Sequence, residues 1–254
     1  MMLADLHIHS HYSDGVLSIA EIVDLFGQKG FKVIAITDHL CEENTFLGKA
    51  SRVLKKTLTR ETFHQYLEEL KKEGIRALKQ YGMLLLPGVE ITKNSVSFKR
   101  SAHILAIGIE EFISADGDVL DILKRIKNQE GLAIAAHPVS TKMFEHQTFH
   151  LWDRRRELAS WFDAWEVASG PILFDEVLKS GMPMIANSDF HVPSQIRSWK
   201  TLLNCAQNFQ SIKQAIALQQ IQLTFFEETS GTSNLNMNPF TFNRNSFARN
   251  VELG

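Results

Sequence analysis

The chain has 254 residues, 44% hydrophobic and 22% charged, enough to bury a substantial core without disulfide staples. Its formal net charge of −2 excludes the broad basic field of a long nucleic-acid footprint, though not a nucleotide or short oligonucleotide at a local site. Cys41 and Cys205, outside any CxxC spacing, exclude a disulfide framework and a thiolate metal site, and Cys205 after Leu202 and Leu203 is expected to be buried.

In chain order, the first predicted strand covers 3–9. Side chains two apart on a strand share a face, so His7 and His9 project together, and Asp14 follows in a Gly15-ended turn. Two imidazoles and a carboxylate so placed form a cradle for a divalent metal. A helix over 18–29 opens on a Ser18–Glu21 capping box and stops at Gly30. The strand over 32–37 runs into Thr37-Asp38-His39. The stretch 41–58 is too long and polar for an ordinary connection and reads as a lid or rim. A helix over 59–81 leads to a strand over 83–91 that carries Glu90 inside an apolar run. The strand over 102–108 is the exception, because its His103 lies at the start and not the end. A helix over 116–129 precedes the strand over 132–136, which runs into His137-Pro138. The strands over 162–167 and 184–187 follow, with a helix over 172–179 between them and Ser188-Asp189-Phe190-His191 after the second. A helix over 208–219 closes the series.

Seven apolar strands alternating with amphipathic helices predict an α/β fold: a seven-stranded parallel (β/α)7 barrel, closed or nearly so, with its metal site at the C-terminal mouth. An open doubly wound sheet is the alternative, disfavoured because candidate ligands come from nearly every strand. Residues 1–228 are expected to form one hydrolase domain. Residues 229–254 lack a helical or strand period and read as a polar extension, which Phe240, Phe242 and Phe247 could dock. Singly, each acid or histidine has an ordinary structural explanation. Nine of them at strand ends would be costly to leave unneutralised, and metal accounts for them together.

This ordered set resembles the PHP (polymerase and histidinol phosphatase) family: His-x-His with Ser-Asp-Gly, Thr-Asp-His, Gly-Val-Glu, a lone His, Ala-His-Pro and Ser-Asp-x-His. The resemblance covers about residues 2–226. It implies a distorted seven-stranded barrel, up to three divalent ions (Mn, Fe or Zn) and phosphate-ester hydrolysis. Carried over, His7, His9, Glu90 and Asp189 hold one ion; Glu90, His103 and His137 a second, with Glu90 bridging; Asp14, His39 and His191 a third. None of the nine positions is apolar, unlike in members that have lost ligands.

The expected activity is that of a metal-dependent phosphoesterase acting on a small metabolite, a nucleotide or a short oligonucleotide through a metal-bridging hydroxide. Asp38 is a candidate for orienting a ligand, and His11 for assisting the leaving group. Arg197 and then Arg100 are the candidates for phosphate binding; Lys99, Lys142 and the Arg154–Arg156 cluster rank below them. Two other readings compete: a metal-dependent amidohydrolase-like enzyme and a non-catalytic, metal-stabilised binding module. The N-terminus lacks the basic and apolar regions of a signal peptide, and no apolar run reaches membrane length, so a cytoplasmic protein with no membrane partner is expected.

Overall fold

The computed structural model describes residues 1–54, 56–94, 101–139, 149–227 and 239–240. In chain order it contains β1 (Met2–Asp5), α1 (Ile19–Gln28), β2 (Val33–Ile36), β3 (His39–Cys41), α2 (Phe46–Val53), α3 (Arg60–Tyr81), β4 (Leu84–Lys93) and β5 (Ala102–Ile107). Then come α4 (Val119–Asn128), β6 (Leu132–Ala135), α5 (Phe149–Asp153), α6 (Arg155–Leu158), β7 (Ala164–Ser169), β8 (Ile172–Leu173), α7 (Asp175–Leu178) and β9 (Met184–Asn187). A 3₁₀ turn at Pro193–Ile196 precedes β10 (Trp199–Leu203), α8 (Phe209–Ala217), β11 (Ile221–Phe225) and β12 (Pro239–Phe240).

Local chemistry sets the helix ends. Ser18 and Glu21 form the expected capping box at α1, and Ile19, Ile22, Val23 and Phe26 face inward from it. Thr59 caps α3, which ends at Gly82 with φ of +60°. Tyr66 of α3 is fully buried, and its hydroxyl lies 3.0 Å from Ile36 O and 2.9 Å from Gly88 O, tying the helix to two strands. The region expected to be a lid or rim begins at the last residue of β3 and contains α2, and Phe46, Val53 and Leu54 lie exposed there.

The seven expected strands are present as β1, β2, β4, β5, β6, β7 and β9. Their uniform parallel direction is not. The pairs β1–β2, β2–β4, β6–β7 and β7–β9 are parallel, whereas β5 is antiparallel to both β4 and β6. Only eight residues, 94–101, separate β4 from β5, too few for the crossover that a parallel pair needs. The sheet is also longer than expected, because β10 pairs antiparallel with β1 and carries β11 and β12 beyond it. Residues 172–173, expected in a helix, form β8 against the end of β7, and α7 begins only at Asp175. Of the extension, Pro239–Phe240 pairs with Leu223 and Thr224 of β11; Phe242, Phe247 and the rest of the tail lie outside the described residues.

The mixed sheet curls. A parallel bridge between Ile8 and Phe190 brings the segment after β9 back to the segment after β1. Helices α1, α3 and α4 pack with alternate strand residues into an outer apolar layer. A second cluster holds Leu86, Leu105, Ile134, Ala164 and Ile185, joined by Ile212 and Ile216 of α8. Glu90, His103, Glu166 and Asn187 lie an even number of residues from those side chains, on the same face of their strands. The inner face is therefore apolar at one end and carries acids and histidines at the other.

Candidate metal centre

The loop after β1 is threaded between two neighbours. Thr37 N donates to Ile8 O at 2.7 Å, His9 N to Phe190 O at 2.7 Å and Phe190 N to His7 O at 3.1 Å. His7 and His9 are both fully buried by this lacing. Glu90 arrives from β4, His103 from β5, His39 from β3, and His137, Asp189 and His191 from the segments after β6 and β9. The placement of His103 follows from strand direction: β5 runs opposite to its neighbours, so its first residues lie at the mouth where the others end. His137 and Asp189 have φ of +25° and +51°, unusual backbone for non-glycine residues and of a kind that gathers at functional sites.

All nine expected ligands come together. Four overlapping sets each place one donor atom per residue within 4.8 Å of the others: His9–Asp14–His39–His191, His7–His137–Asp189, His7–His9–Glu90 and Glu90–His103–His137. Glu90 sits at the centre. Its Oε1 lies 2.9 Å from His103 Nδ1, 3.3 Å from His137 Nε2 and 3.5 Å from His7 Nε2. Its Oε2 lies 2.7 Å from His39 Nδ1 and 3.6 Å from His9 Nε2. Asp189 Oδ1 is 3.3 Å from the Nε2 atoms of both His7 and His9, and Asp14 Oδ1 is 3.1 Å from His191 Nε2.

The donor set fits divalent metal. His7 Nε2 and His9 Nε2 are buried without a hydrogen-bond partner among the described residues, although each faces carboxylate oxygens. Imidazole and carboxylate donors without thiolate suit Mn, Fe or Zn. Burial and then the neighbouring His39 hold the His9 ring down at about 3, so it is neutral near pH 7 and presents a lone pair. Burial opposes charging of His7 as well, but Glu166, Asp189 and Glu90 outweigh it and raise its pKa well above the ordinary value. Burial likewise raises Glu90, yet His103, His39 and His7 together hold it well below the usual carboxylate range.

Behind these residues lies a buried polar layer. Glu166, fully buried on β7, places Oε1 2.9 Å from His7 Nδ1, while its Oε2 accepts the His137 N–H at 2.7 Å and Asn187 Nδ2 donates to Oε1 at 2.9 Å. Sequence reasoning missed Glu166, although a carboxylate inside the apolar run Ala164-Trp165-Glu166-Val167 is the signal that singled out Glu90. Asp38 is buried under the His9–Asp14 loop, where it accepts from Ser10 N at 2.8 Å, Ser10 Oγ at 2.6 Å and Ser13 Oγ at 2.6 Å. It is a positioning group for that loop. Asp5 performs the same task beneath Asp189, accepting from Ser188 N at 3.1 Å and Ser188 Oγ at 2.5 Å, with the fully buried Lys200 Nζ 2.8 Å away.

The remaining candidates are not members of the donor sets. His11 is exposed and packs on Tyr12, with ring centroids 4.8 Å apart. Arg197 is exposed after the 3₁₀ turn. Arg154 pairs with Asp118 at 3.3 Å and Glu157 at 2.7 Å, which accounts for it structurally. Lys99, Arg100 and Lys142 lie outside the described residues. Cys41 is buried, while Cys205, expected to be buried, is only half so. Among the described residues no helix is long and apolar enough to cross a membrane.

The PHP domain profile matches residues 5–218. The DNA polymerase/3'-5' exonuclease PolX of Bacillus subtilis is 25% identical over 217 residues, covering 80% of this chain but only 36% of its own length. An uncharacterised protein of Methanocaldococcus jannaschii is 31% identical over 150 residues, 55% of this chain and 69% of that protein. In fold, the chain is similar to a two-domain Bacteroides vulgatus protein containing a predicted PHP-like metal-dependent phosphoesterase. That likeness has a TM-score of 0.65 at 22% identity, over 88% of this chain and 64% of the other. With the match extending from Asp5, just before the paired histidines, past Asp189 and His191, the chain belongs to the PHP domain family.

Proposed function

We propose that the chain is a metal-dependent hydrolase of phosphate esters, acting on a small metabolite, a nucleotide or a short oligonucleotide. The observation that carries the reading is Glu90, one buried carboxylate facing five imidazoles between 2.7 and 3.6 Å away. Its two oxygens face different histidines, as a bridging carboxylate between ions requires. His7, His9, Asp14, His39, Glu90, His103, His137, Asp189 and His191 would hold up to three ions of Mn, Fe or Zn, which would supply Lewis acidity to lower the pKa of water and neutralise phosphoryl charge. Glu166 fixes His7 through Nδ1 and so leaves Nε2 for the ion. Asp38 holds the loop that bears His9 and Asp14. In hydrolysis a water oxygen bonds to phosphorus, the bond from phosphorus to the alcohol oxygen breaks, and that oxygen takes up a proton.

Arg197 is the described cation proposed to meet the phosphoryl oxygens at the mouth, and His11, exposed beside Tyr12, is the candidate to assist the leaving group. The catalytic unit is proposed to span residues 1–228, with 229–254 as an extension. Two free cysteines fit a reducing, cytoplasmic setting. The test is hydrolysis of an aryl phosphate monoester and an aryl diester by protein loaded separately with Mn, Fe and Zn, beside Glu90→Ala. Metal-dependent turnover abolished in the variant is expected. Bound ions without turnover of either ester would overturn the reading in favour of an amidohydrolase or a non-catalytic, metal-stabilised module.

A further inference from the structure

We propose that the cavity beside His137 and Asp189 receives the alcohol part of the ester and selects a single apolar ring there; the proposal rests on the phosphoesterase reading above. The cavity is half open and offers about 260 Å³. That exceeds the roughly 150 Å³ that accommodates benzene in a protein core and falls short of the ~300–1,000 Å³ typical of pockets for larger ligands. One ring system fits.

The walls decide the chemistry. His137 and Asp189 belong both to the candidate metal centre and to the cavity, so the cavity adjoins the centre. The lining also includes Val139, Pro171, Ile172 and Phe174, which present carbon surface. Ile172 is apolar yet 39% exposed, at the rim where a bound ring would cover it. The polar lining is largely committed. Ser188 Oγ donates to Asp5 at 2.5 Å, and Gln195 Oε1 accepts from His191 N at 2.5 Å and Val192 N at 2.9 Å. His137 and Asp189 are committed to the metal centre, and the described lining offers no lysine or arginine to a second anionic group on the substrate.

The pocket is also preformed. The turn between β7 and β8 is pinned at Gly170, whose N–H donates to Asn187 O at 3.2 Å and whose carbonyl accepts from Trp199 N at 3.0 Å. Gly170 has φ of +57°, which permits this tight reversal, and Phe174 N donates to Val167 O at 2.8 Å on the far side of the hairpin. A ring therefore enters a wall already in place, with little ordering cost.

The test compares benzyl phosphate with ethyl phosphate, whose leaving alcohols are similar in basicity and differ in the ring. Wild-type protein loaded with Mn is expected to favour benzyl phosphate by about tenfold or more in kcat/KM, mainly through KM. Ile172→Lys, a rim substitution compatible with folding, is expected to bring that ratio close to unity while retaining the metal content and thermal midpoint of the wild type. Equal kcat/KM for the two esters in the wild type, or an undiminished ratio in Ile172→Lys, would overturn the proposal. Equilibrium binding of benzylphosphonate and ethylphosphonate to the Mn-loaded protein separates the two readings. If neither ester is hydrolysed but benzylphosphonate binds more tightly and Ile172→Lys removes the difference, the phosphoesterase reading fails and the ring pocket stands. Equal binding of the two phosphonates would sink the pocket as well.

Discussion

Glu166 Oε1 lies 2.9 Å from His7 Nδ1, and the other oxygen of the same carboxylate accepts the backbone N–H of His137. One buried acid thus orients a ring from the first strand segment and a chain segment from after the sixth. Glu166→Gln keeps the shape of the side chain but replaces one acceptor oxygen with an amide, and so weakens the hold on His7. Metal affinity is expected to fall by about 10–100-fold, the usual effect of losing such a partner, while the circular dichroism spectrum stays that of the wild type. Competition titration with a chromophoric chelator reads the change. An unaltered Kd would show that Glu166 only fills space.

Gly15 tests the loop that carries Asp14. A Cβ built there would lie 2.2 Å from His9 O and 2.9 Å from Ser10 N, both backbone atoms that cannot swing aside. Gly15→Ala is therefore expected to displace the turn and withdraw Asp14 from His39 and His191. Elemental analysis after metal loading should show one ion fewer per chain than the wild type. Full metal content in this variant would mean that Asp14 is dispensable.

Lys200 and Asp5 are both fully buried and 2.8 Å apart, with Ser198 Oγ 2.6 Å from the ammonium. Burial pulls the Lys200 pKa down from its ordinary value, and Asp5 opposes that pull. Lys200→Met leaves the Asp5 carboxylate buried without its counter-charge. Removing one partner of such a pair costs about 3–5 kcal/mol, read as a lower urea midpoint. A midpoint within error of the wild type would show that the pair is energetically neutral.

Tyr66→Phe removes the hydroxyl that serves Ile36 O and Gly88 O between α3 and strands β2 and β4. Leaving buried carbonyls without their donor costs about 1–3 kcal/mol. At ~2–4 °C per kcal/mol for a chain of this size, the midpoint of thermal unfolding should fall by several degrees. An unchanged midpoint would mean that water replaces the hydroxyl.

Much of this was readable from the chain, and the misses have physical causes. The histidine pairs and acids were visible because each interrupts or ends an apolar run, where a polar group needs a reason. Strand direction was not visible in the same way: buried parallel and antiparallel strands share a Val-, Ile- and Ala-rich composition, so the residues of β5 do not announce their orientation. The short span between Glu90 and His103 did carry the information, since it leaves no room for a crossover helix. Had direction been drawn from it, His103 would have needed no special treatment. Strands β10 and β11 were missed because Lys200, Thr201, Gln222 and Thr224 break their apolar pattern, and Lys200 points to a buried acid that only the fold reveals. Glu166 was overlooked for lack of a neighbouring histidine in sequence, although it finds two in space.

The bridge between Ile8 and Phe190 has a consequence for how the protein assembles. The two segments that it joins stand 182 positions apart, and the donors of His7 and Asp189 meet only when that contact forms. Closing so long a loop costs chain entropy before any contact repays it, which makes the pairing a late event in folding. Under the proposed metal reading, an ion held by both ends would act as a clasp on the finished chain. It binds the closed form and not the open one, so at ~100 times its Kd it adds about 2.7 kcal/mol against unfolding.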